Sequence, residues 1–390
     1  MNARFLHTAD WQLGKPFAGI ADVQKRSLVQ QERFEAIKRI GKVVDEYRAE
    51  FVLVAGDLFD SSSVTKATVA MACSAIGRLG VPVLAIPGNH DHGGPGSIWQ
   101  QGFFQRECAS LAPNFRVLLT LEPVELETAV IFPCPLLRRA ESADPTTWLR
   151  SLDIPANAFG GKPRIVLAHG SVQGFGAVQD DDEGDAGATN QLDLAKLATA
   201  SFDYLALGDW HGTKQVGAKA WYAGTPEIDR FPKGESNEPG HCLTVAVARE
   251  DLPHVQSVRT ARLGWHQLAC DFVEDGALTR LRQTVDALLG NRSGDDLLRL
   301  ELSGSLGIEA ATRLEEFLES LEARLLRLKL SNRTVISPSA DEIAALTQRT
   351  ADPLIARVAS QLVARAAGNN DDAAVARIAL RELHAACARI

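Results

Sequence analysis

From Phe51 to Ala55, and again from Val81 to Ile86, the chain is apolar at every position, without the alternation of a half-solvated strand. Short β-branched runs closed by Pro or Gly predict strands buried on both faces of an α/β sheet. The runs Arg4 to His7, Arg164 to Ala168 and Tyr204 to Leu207 read as further strands, with shorter ones near 116–119 and 129–132. Longer stretches between them change period. Phe34, Ile37, Ile40, Val44 and Tyr47 recur at three- and four-residue steps, which predicts a helix over 24–49 with one apolar face. Helices are also predicted over 65–79 and 97–111. The β-α-β-α-β order implies parallel strands joined by right-handed crossovers. The alternating run Cys242 to Ala248 ends this first unit.

From about Trp265 the pattern shifts to strand 267–272, helix 277–289, strand 297–302, helix 309–324 and strand 326–330, a compact α+β unit. Ser337-Pro338 breaks the chain. Ser339 followed three residues later by Glu342 is a capping-box start, and Asp352-Pro353 is a second helix start. The tail therefore reads as helices with apolar stripes such as Ile343 and Leu346, or Leu354, Val358 and Leu362. These shifts divide the chain at 1–260, 261–336 and 337–390.

Composition narrows the function. The 390 residues carry a net charge of −8, so the basic footprint of a self-sufficient nucleic-acid binder is missing. Either the substrate is small, or metal ions or a partner supply the positive charge. The six cysteines are scattered with no Cys-x-x-Cys pair, which points to structural thiols in a reducing compartment. No apolar run approaches the ~18 residues of a membrane span and no cleavable leader pattern opens the chain, so a cytoplasmic protein is expected. The acidic stretch 180–185 reads as a solvated insertion. No Gly-rich Lys-Ser/Thr loop is present, so ATP chemistry, if needed, belongs elsewhere.

The polar tips of the strands carry the chemistry. Asp10, Asp57, Asn89 with His90, His169, and Asp209 with His211 each follow an apolar strand, several of them beside Gly. Open α/β sheets build their sites at the carboxyl ends of such strands. Carboxylate, amide and imidazole together suit a hard or borderline divalent ion such as Mn²⁺, Mg²⁺ or Fe²⁺. Two ligand sets sharing one carboxylate make the two-metal arrangement that cleaves phosphate esters.

Asp10-x-Gln12, Gly56-Asp57, Gly88-Asn89-His90-Asp91, His169-Gly170 and Gly208-Asp209-Trp210-His211 resemble the calcineurin-like metallophosphoesterase signature. The wording LHTADWQLGKPF and YLALGDWHG is similar to the SbcD branch, nuclease subunits of DNA double-strand-break repair complexes. The resemblance implies a sandwich of two mixed sheets flanked by helices, then a small α+β capping domain that contacts DNA, and a helical tail. It also implies two divalent ions, manganese first among them. Asp57 would bridge the ions, Asp10 with Gln12 and His211 would serve the first, and Asn89, His169 and Asp209 the second. His90 would be the acid that protonates the leaving oxygen, with Asp91 as its orienting anion. The implied partners are DNA, an SbcC-like coiled-coil ATPase docked on the tail, and a second copy in a homodimer. Gln12 and Asp209 stand where the family has His, which leaves open an altered metal preference or a degenerate site. A phosphoesterase of small nucleotides or phosphoproteins, and a catalytically silent scaffold, are the alternative readings.

Overall fold

The computed structural model describes residues 2–155, 158–172, 189–197, 201–232, 238–273, 276–337, 339–368 and 370–388. The acidic stretch 180–185 lies outside them. The chain forms two compact units, Met1–Leu263 and Gly264–Ile390.

The first unit opens with β1 (Asn2–Thr8), α1 (Val23–Tyr47), β2 (Phe51–Ala55), α2 (Lys66–Gly77) and β3 (Val83–Ile86). There follow α3 (Gly102–Leu111), β4 (Phe115–Val117), β5 (Val124–Glu125) and β6 (Val130–Cys134). Next come β7 (Arg164–His169), β8 (Ser171–Val172), β9 (Gln191–Leu192) and β10 (Tyr204–Gly208). The unit ends with β11 (Lys214–Gly217), β12 (Ala220–Tyr222), β13 (His241–Ala248) and β14 (His254–Arg259). The described residues make two six-stranded sheets, β14-β13-β1-β2-β3-β4 and β11-β12-β10-β7-β6-β5. Each is mixed: β1 to β4 run parallel and so do β12, β10, β7 and β6, with antiparallel strands at the edges.

The continuous apolar runs are explained by this layering. Phe51, Leu53 and Ala55 of β2 enter the core between the sheets with Phe5, Ile131, Ile165 and Leu167, while Val52 and Val54 face the helix layer. On β7, Val166 and Ala168 enter a third core behind the second sheet with Phe132, Phe202 and Tyr222. Successive side chains point to opposite faces, so a strand buried on both sides has no polar position to spare. The helix read over 97–111 is broken, with a short 3₁₀ turn at Ile98–Gln100 before α3. The strands β11, β12 and β14 escape sequence reading: β11 and β14 are half-exposed and mixed, and β12 is buried but only three residues long.

His7 on β1 is fully buried and joins the two sheets. Its Nε2 donates to the Leu207 carbonyl at 3.2 Å, which leaves Nδ1 to accept from the Tyr204 hydroxyl at 3.0 Å. It is a packing histidine, and burial drives its pKa down to about 3.

In the second unit, β15 (Gly264–Phe272), α4 (Gly276–Leu289), β16 (Asp296–Leu306), α5 (Ile308–Arg324) and β17 (Arg327–Asn332) follow in order, with β18 (Val335–Ile336) pairing β16. Its strands are all parallel, so the unit is built as β-α-β-α-β. The tail helices α6 (Ala340–Thr347), α7 (Pro353–Ala366) and α8 (Asp371–Ala388) share a core with Ile308 of α5. Among the described residues no helix is long and apolar enough to cross a membrane.

Candidate metal centre

Parallel pairing of β1, β2 and β3, and of β7 with β10, brings their carboxyl ends to one edge of the sandwich. Asp10, Asp57 and His169 each present a ligand atom there, all within 4.8 Å of one another and all buried. The backbone at the strand tips is unusual. Asp10, Gln12, Asp57 and Asp209 all have positive φ (53°, 41°, 52° and 102°), a conformation that non-glycine residues rarely adopt. Such strain collects where a side chain must be aimed, and here it sits on four metal-ligand candidates. Glycine is required beside them: a Cβ on Gly88 would lie 2.1 Å from Asp57 Oδ1, and one on Gly208 would lie 1.8 Å from the Ala55 carbonyl.

His169 is the centre of one half of the site. Its Nδ1 donates to the Ala55 carbonyl at 2.8 Å, so the proton sits on Nδ1 and Nε2 faces inward. Nε2 then lies 2.9 Å from Asn89 Oδ1, 3.6 Å from Asp57 Oδ2 and 3.7 Å from Asp209 Oδ1. Around it are oxygen acceptors, an arrangement that calls for a cation or a proton. The charges agree. Burial first, then the Asp57 and Asp209 carboxylates, pushes Asp10 up to about 8. Burial alone would lower His169, but the charges of Asp57, Asp10 and Asp209 push it up to about 9. Carboxylates whose charges raise the proton affinity of a buried neighbour such as Asp10 are relieved by a divalent ion. The donor set, carboxylate oxygen, amide oxygen and imidazole nitrogen, fits one. Outer partners support it: Ser171 Oγ donates to Asp209 Oδ2 at 2.6 Å, and the Asp209 N–H meets both Asp10 carboxylate oxygens at 3.2 and 3.3 Å.

The other half differs. Gln12 is fully buried, yet its Oε1 accepts from Lys15 Nζ at 2.7 Å and its Nε2 faces His211 Nε2 at 3.2 Å. His211 Nδ1 is 3.0 Å from Asp229 Oδ1, and an Arg230 Nη2 lies 2.8 and 3.0 Å from the two ring nitrogens. Burial, then the Arg230 charge, lowers the His211 pKa. Burial would raise Asp229, but His211, Arg230 and Lys15 hold its carboxyl well below the usual range.

His90 stands at the rim, partly buried, with its N–H on Asp57 Oδ1 at 2.9 Å and its Nε2 3.9 Å from Asp57 Oδ2. Its Nδ1 donates to the Asp60 carbonyl at 2.9 Å. Asp91, expected to orient that imidazole, has another task. Its carboxylate accepts from the N–H groups of Gly88 at 2.8 Å and Phe59 at 3.0 Å, and its carbonyl accepts from the Trp99 indole. The residue after His90 points back beneath the loop, so it braces the turn that carries Asn89 and His90. Burial, then Asp57, raises its pKa to about 7, against those two backbone bonds.

Sequence reading missed the support. Arg33 of α1 is buried and donates to the carbonyls of Trp11 (2.7 Å), Asp10 (3.1 Å) and Glu227 (3.1 Å) and to Thr225 Oγ1 (3.0 Å). The signal was present: Glu32 and Arg33 interrupt the stripe Val29, Ala36, Ile37, Ile40 on the buried face of α1. Lys15, Asp229 and Arg230 carry no such pattern and are found only by position.

Comparison with known proteins gives the family of the first unit. A family model described as calcineurin-like phosphoesterase matches residues 3–236, more than half of the chain. An uncharacterized metallophosphoesterase, YhaO of Bacillus subtilis, is 25% identical over 341 residues, 82% of this chain and 77% of that protein. The DNA double-strand break repair protein Mre11 of Aeropyrum pernix is 25% identical over 293 residues, 70% of this chain and 65% of that protein. Among solved structures, TT1561 of Thermus thermophilus aligns at a TM-score of 0.38 and 11% identity, over 67% of this chain and 100% of that one. GAP50 of Plasmodium aligns at 0.35 and 12%, over 67% and 91%.

Proposed function

Since the chain belongs to the calcineurin-like phosphoesterase family, whose members are metal-dependent hydrolases, we propose that it cleaves the phosphodiester bonds of DNA. The observation that carries this reading is the ring of Asp57, Asn89 and Asp209 oxygens around His169 Nε2, with the His90 imidazole at its rim. Asp57, Asn89, His169 and Asp209, with Asp10 beside them, would hold a divalent ion. The absence of thiolate favours manganese, with magnesium or Fe²⁺ as alternatives. A bound ion lowers the pKa of a water ligand and offsets charge on the phosphoryl oxygens.

The chain's own groups do the rest. The Asp60 carbonyl keeps a proton on His90 Nδ1, so Nε2 is the atom that can carry a second proton to the leaving alkoxide. The Asp91 cap holds that loop still, and the buried Trp99, whose indole donates to the Asp91 carbonyl, helps exclude water from beneath it. DNA is favoured over a small ester by the likeness to an Mre11 protein and by the second unit, which a small substrate would not need. The same reading assigns that unit to DNA and to an SbcC-like coiled-coil ATPase, with the chain acting in the cytoplasm as a homodimer. With a net charge of −8, such a subunit would draw much of its DNA affinity from its partner.

Purified full-length protein with Mn²⁺ is to be assayed on end-labelled linear DNA and on bis-p-nitrophenyl phosphate. Cleavage of both is expected, with Asp57→Ala reducing the rate by roughly 10³ or more and His90→Ala by roughly 10²–10⁴. Hydrolysis of the small ester with DNA left intact, alone and with an added SbcC-like ATPase, would refute the substrate assignment.

A further inference from the structure

The two halves of the site differ in what faces the ligand atoms. On the His169 side, acceptors face acceptors. On the Gln12 side, the Gln12 and His211 atoms that could bind an ion are already met by hydrogen-bond donors. Gln12 has one ligating atom, Oε1, and it accepts from the Lys15 ammonium at 2.7 Å. An ammonium only donates, so the amide orientation is determined: oxygen toward Lys15, NH₂ toward His211 Nε2. His211 donates from Nδ1 to Asp229 Oδ1 at 3.0 Å, which leaves Nε2 as its lone pair. That lone pair meets the Gln12 NH₂ at 3.2 Å, and an Arg230 nitrogen lies against the ring, 2.8 Å from Nδ1 and 3.0 Å from Nε2. Lys15 is anchored as well, with Nζ 3.1 Å from Asp229 Oδ2 and 3.8 Å from Asp60 Oδ1. A divalent ion placed there would have to displace these donors and sit against two cationic groups.

We propose that this chain holds a single divalent ion, on the Asp57, Asn89, His169 and Asp209 side, and that the Lys15 ammonium takes up the Gln12 oxygen that a second ion would need. Gln at position 12 is the cause: an imidazole would offer the ion a nitrogen, whereas the Gln oxygen is already taken by the Lys15 ammonium. The side chain of Lys15 remains 20% exposed, so its ammonium can reach a phosphate oxygen of a bound ester. This rests on the phosphoesterase reading only for the identity of that ester; the ion count stands without it.

The count is read on full-length protein stripped with chelator, titrated with Mn²⁺ and followed by native mass spectrometry and electron paramagnetic resonance. One ion per chain and the spectrum of an isolated Mn²⁺ are expected, lost in Asp57→Ala. The double variant Gln12→His, Lys15→Met is expected to take up a second ion and show exchange coupling between the pair. Two coupled ions in the unaltered protein, or none, would overturn the proposal. For Lys15, inorganic phosphate is titrated into the manganese-loaded protein. Lys15→Met should bind it about tenfold more weakly, and Lys15→Arg should keep much of the affinity; no change in Lys15→Met would remove the ammonium from the assignment. A protein that binds one ion but cuts no DNA would sink the nuclease reading and leave this one standing.

Discussion

None of the four hydrogen bonds from the Arg33 guanidinium goes to a carboxylate; three reach backbone carbonyls and one reaches Thr225. A buried cation used in this way holds chain segments in position, here the Asp10–Trp11 tip and the 225–227 loop that leads to Asp229. Replacing it with an apolar side chain of similar length leaves several buried acceptors without partners, at about 1–3 kcal/mol each before relaxation. Arg33→Met should therefore lower stability by roughly 3 kcal/mol and weaken Mn²⁺ binding as Asp10 shifts. Urea unfolding with an unchanged slope, together with a metal titration, measures both. A loss below about 1 kcal/mol would show that the loops hold themselves. Asp91 makes the same point in the opposite sense. Its type and spacing suggested an acid beside a catalytic histidine, yet the carboxylate caps Gly88 and Phe59. Residue type is visible in a sequence, but the direction of a side chain in a tight turn is not.

At the scale of elements, one carboxylate joins two helices. The Ser339 and Glu342 capping box starts α6, as its spacing suggests. Glu342 does more, because its carboxylate also accepts from the N–H groups of Ile308 (3.0 Å) and Glu309 (2.8 Å), the first turn of α5. Ser339→Ala should cost about 1 kcal/mol, as caps do, and Glu342→Ala about 2–3 because amides of both helices lose an acceptor. Burial opposes it, but these backbone bonds hold the Glu342 pKa below its ordinary 4.5, so its contribution is present above that value and fades as pH falls. The two variants, compared by thermal melts at pH 7 and again near pH 3, should differ at the first and converge at the second. Equal losses at pH 7 would mean that α5 does not depend on Glu342.

Across the whole molecule, each unit carries its own core, and the clustered titrating groups belong to the first. In the metal-free chain Asp10 is raised from 3.8 to about 8 and His169 from 6.5 to about 9. Groups with raised folded-state pKa values stabilise the fold below the unfolded value, and that stability is lost as pH climbs through the folded one. The chelated protein should thus become less stable from about pH 4 up to pH 9, with a fall in Tm of roughly 5 °C or more over the upper part of that range. Saturating Mn²⁺ should flatten the dependence, since the ion replaces those protons. Hydrogen exchange at pH 8 should place the gain in residues 2–263 and leave 264–390 unchanged. A melting temperature that rises with pH in chelator would contradict the charge clustering.

Much of this protein is written locally. Runs such as Phe51 to Ala55 announce strands with two buried faces, the stripe from Ile37 to Val44 announces α1, and polar residues just past the strands mark the candidate ligands. These follow from side-chain periodicity, which is a property of neighbours in the chain. Where those ligands meet, and what already occupies them, depends on contacts between residues as far apart as Gln12 and His211, or Arg33 and Glu227. Lys15 lies three positions from Gln12 in the chain, yet its consequence appears only when Asp229 arrives from a distant loop to anchor it. Hydrogen-bond donors and acceptors are chosen by distance in space, so the character of the candidate metal centre was decided by the tertiary fold.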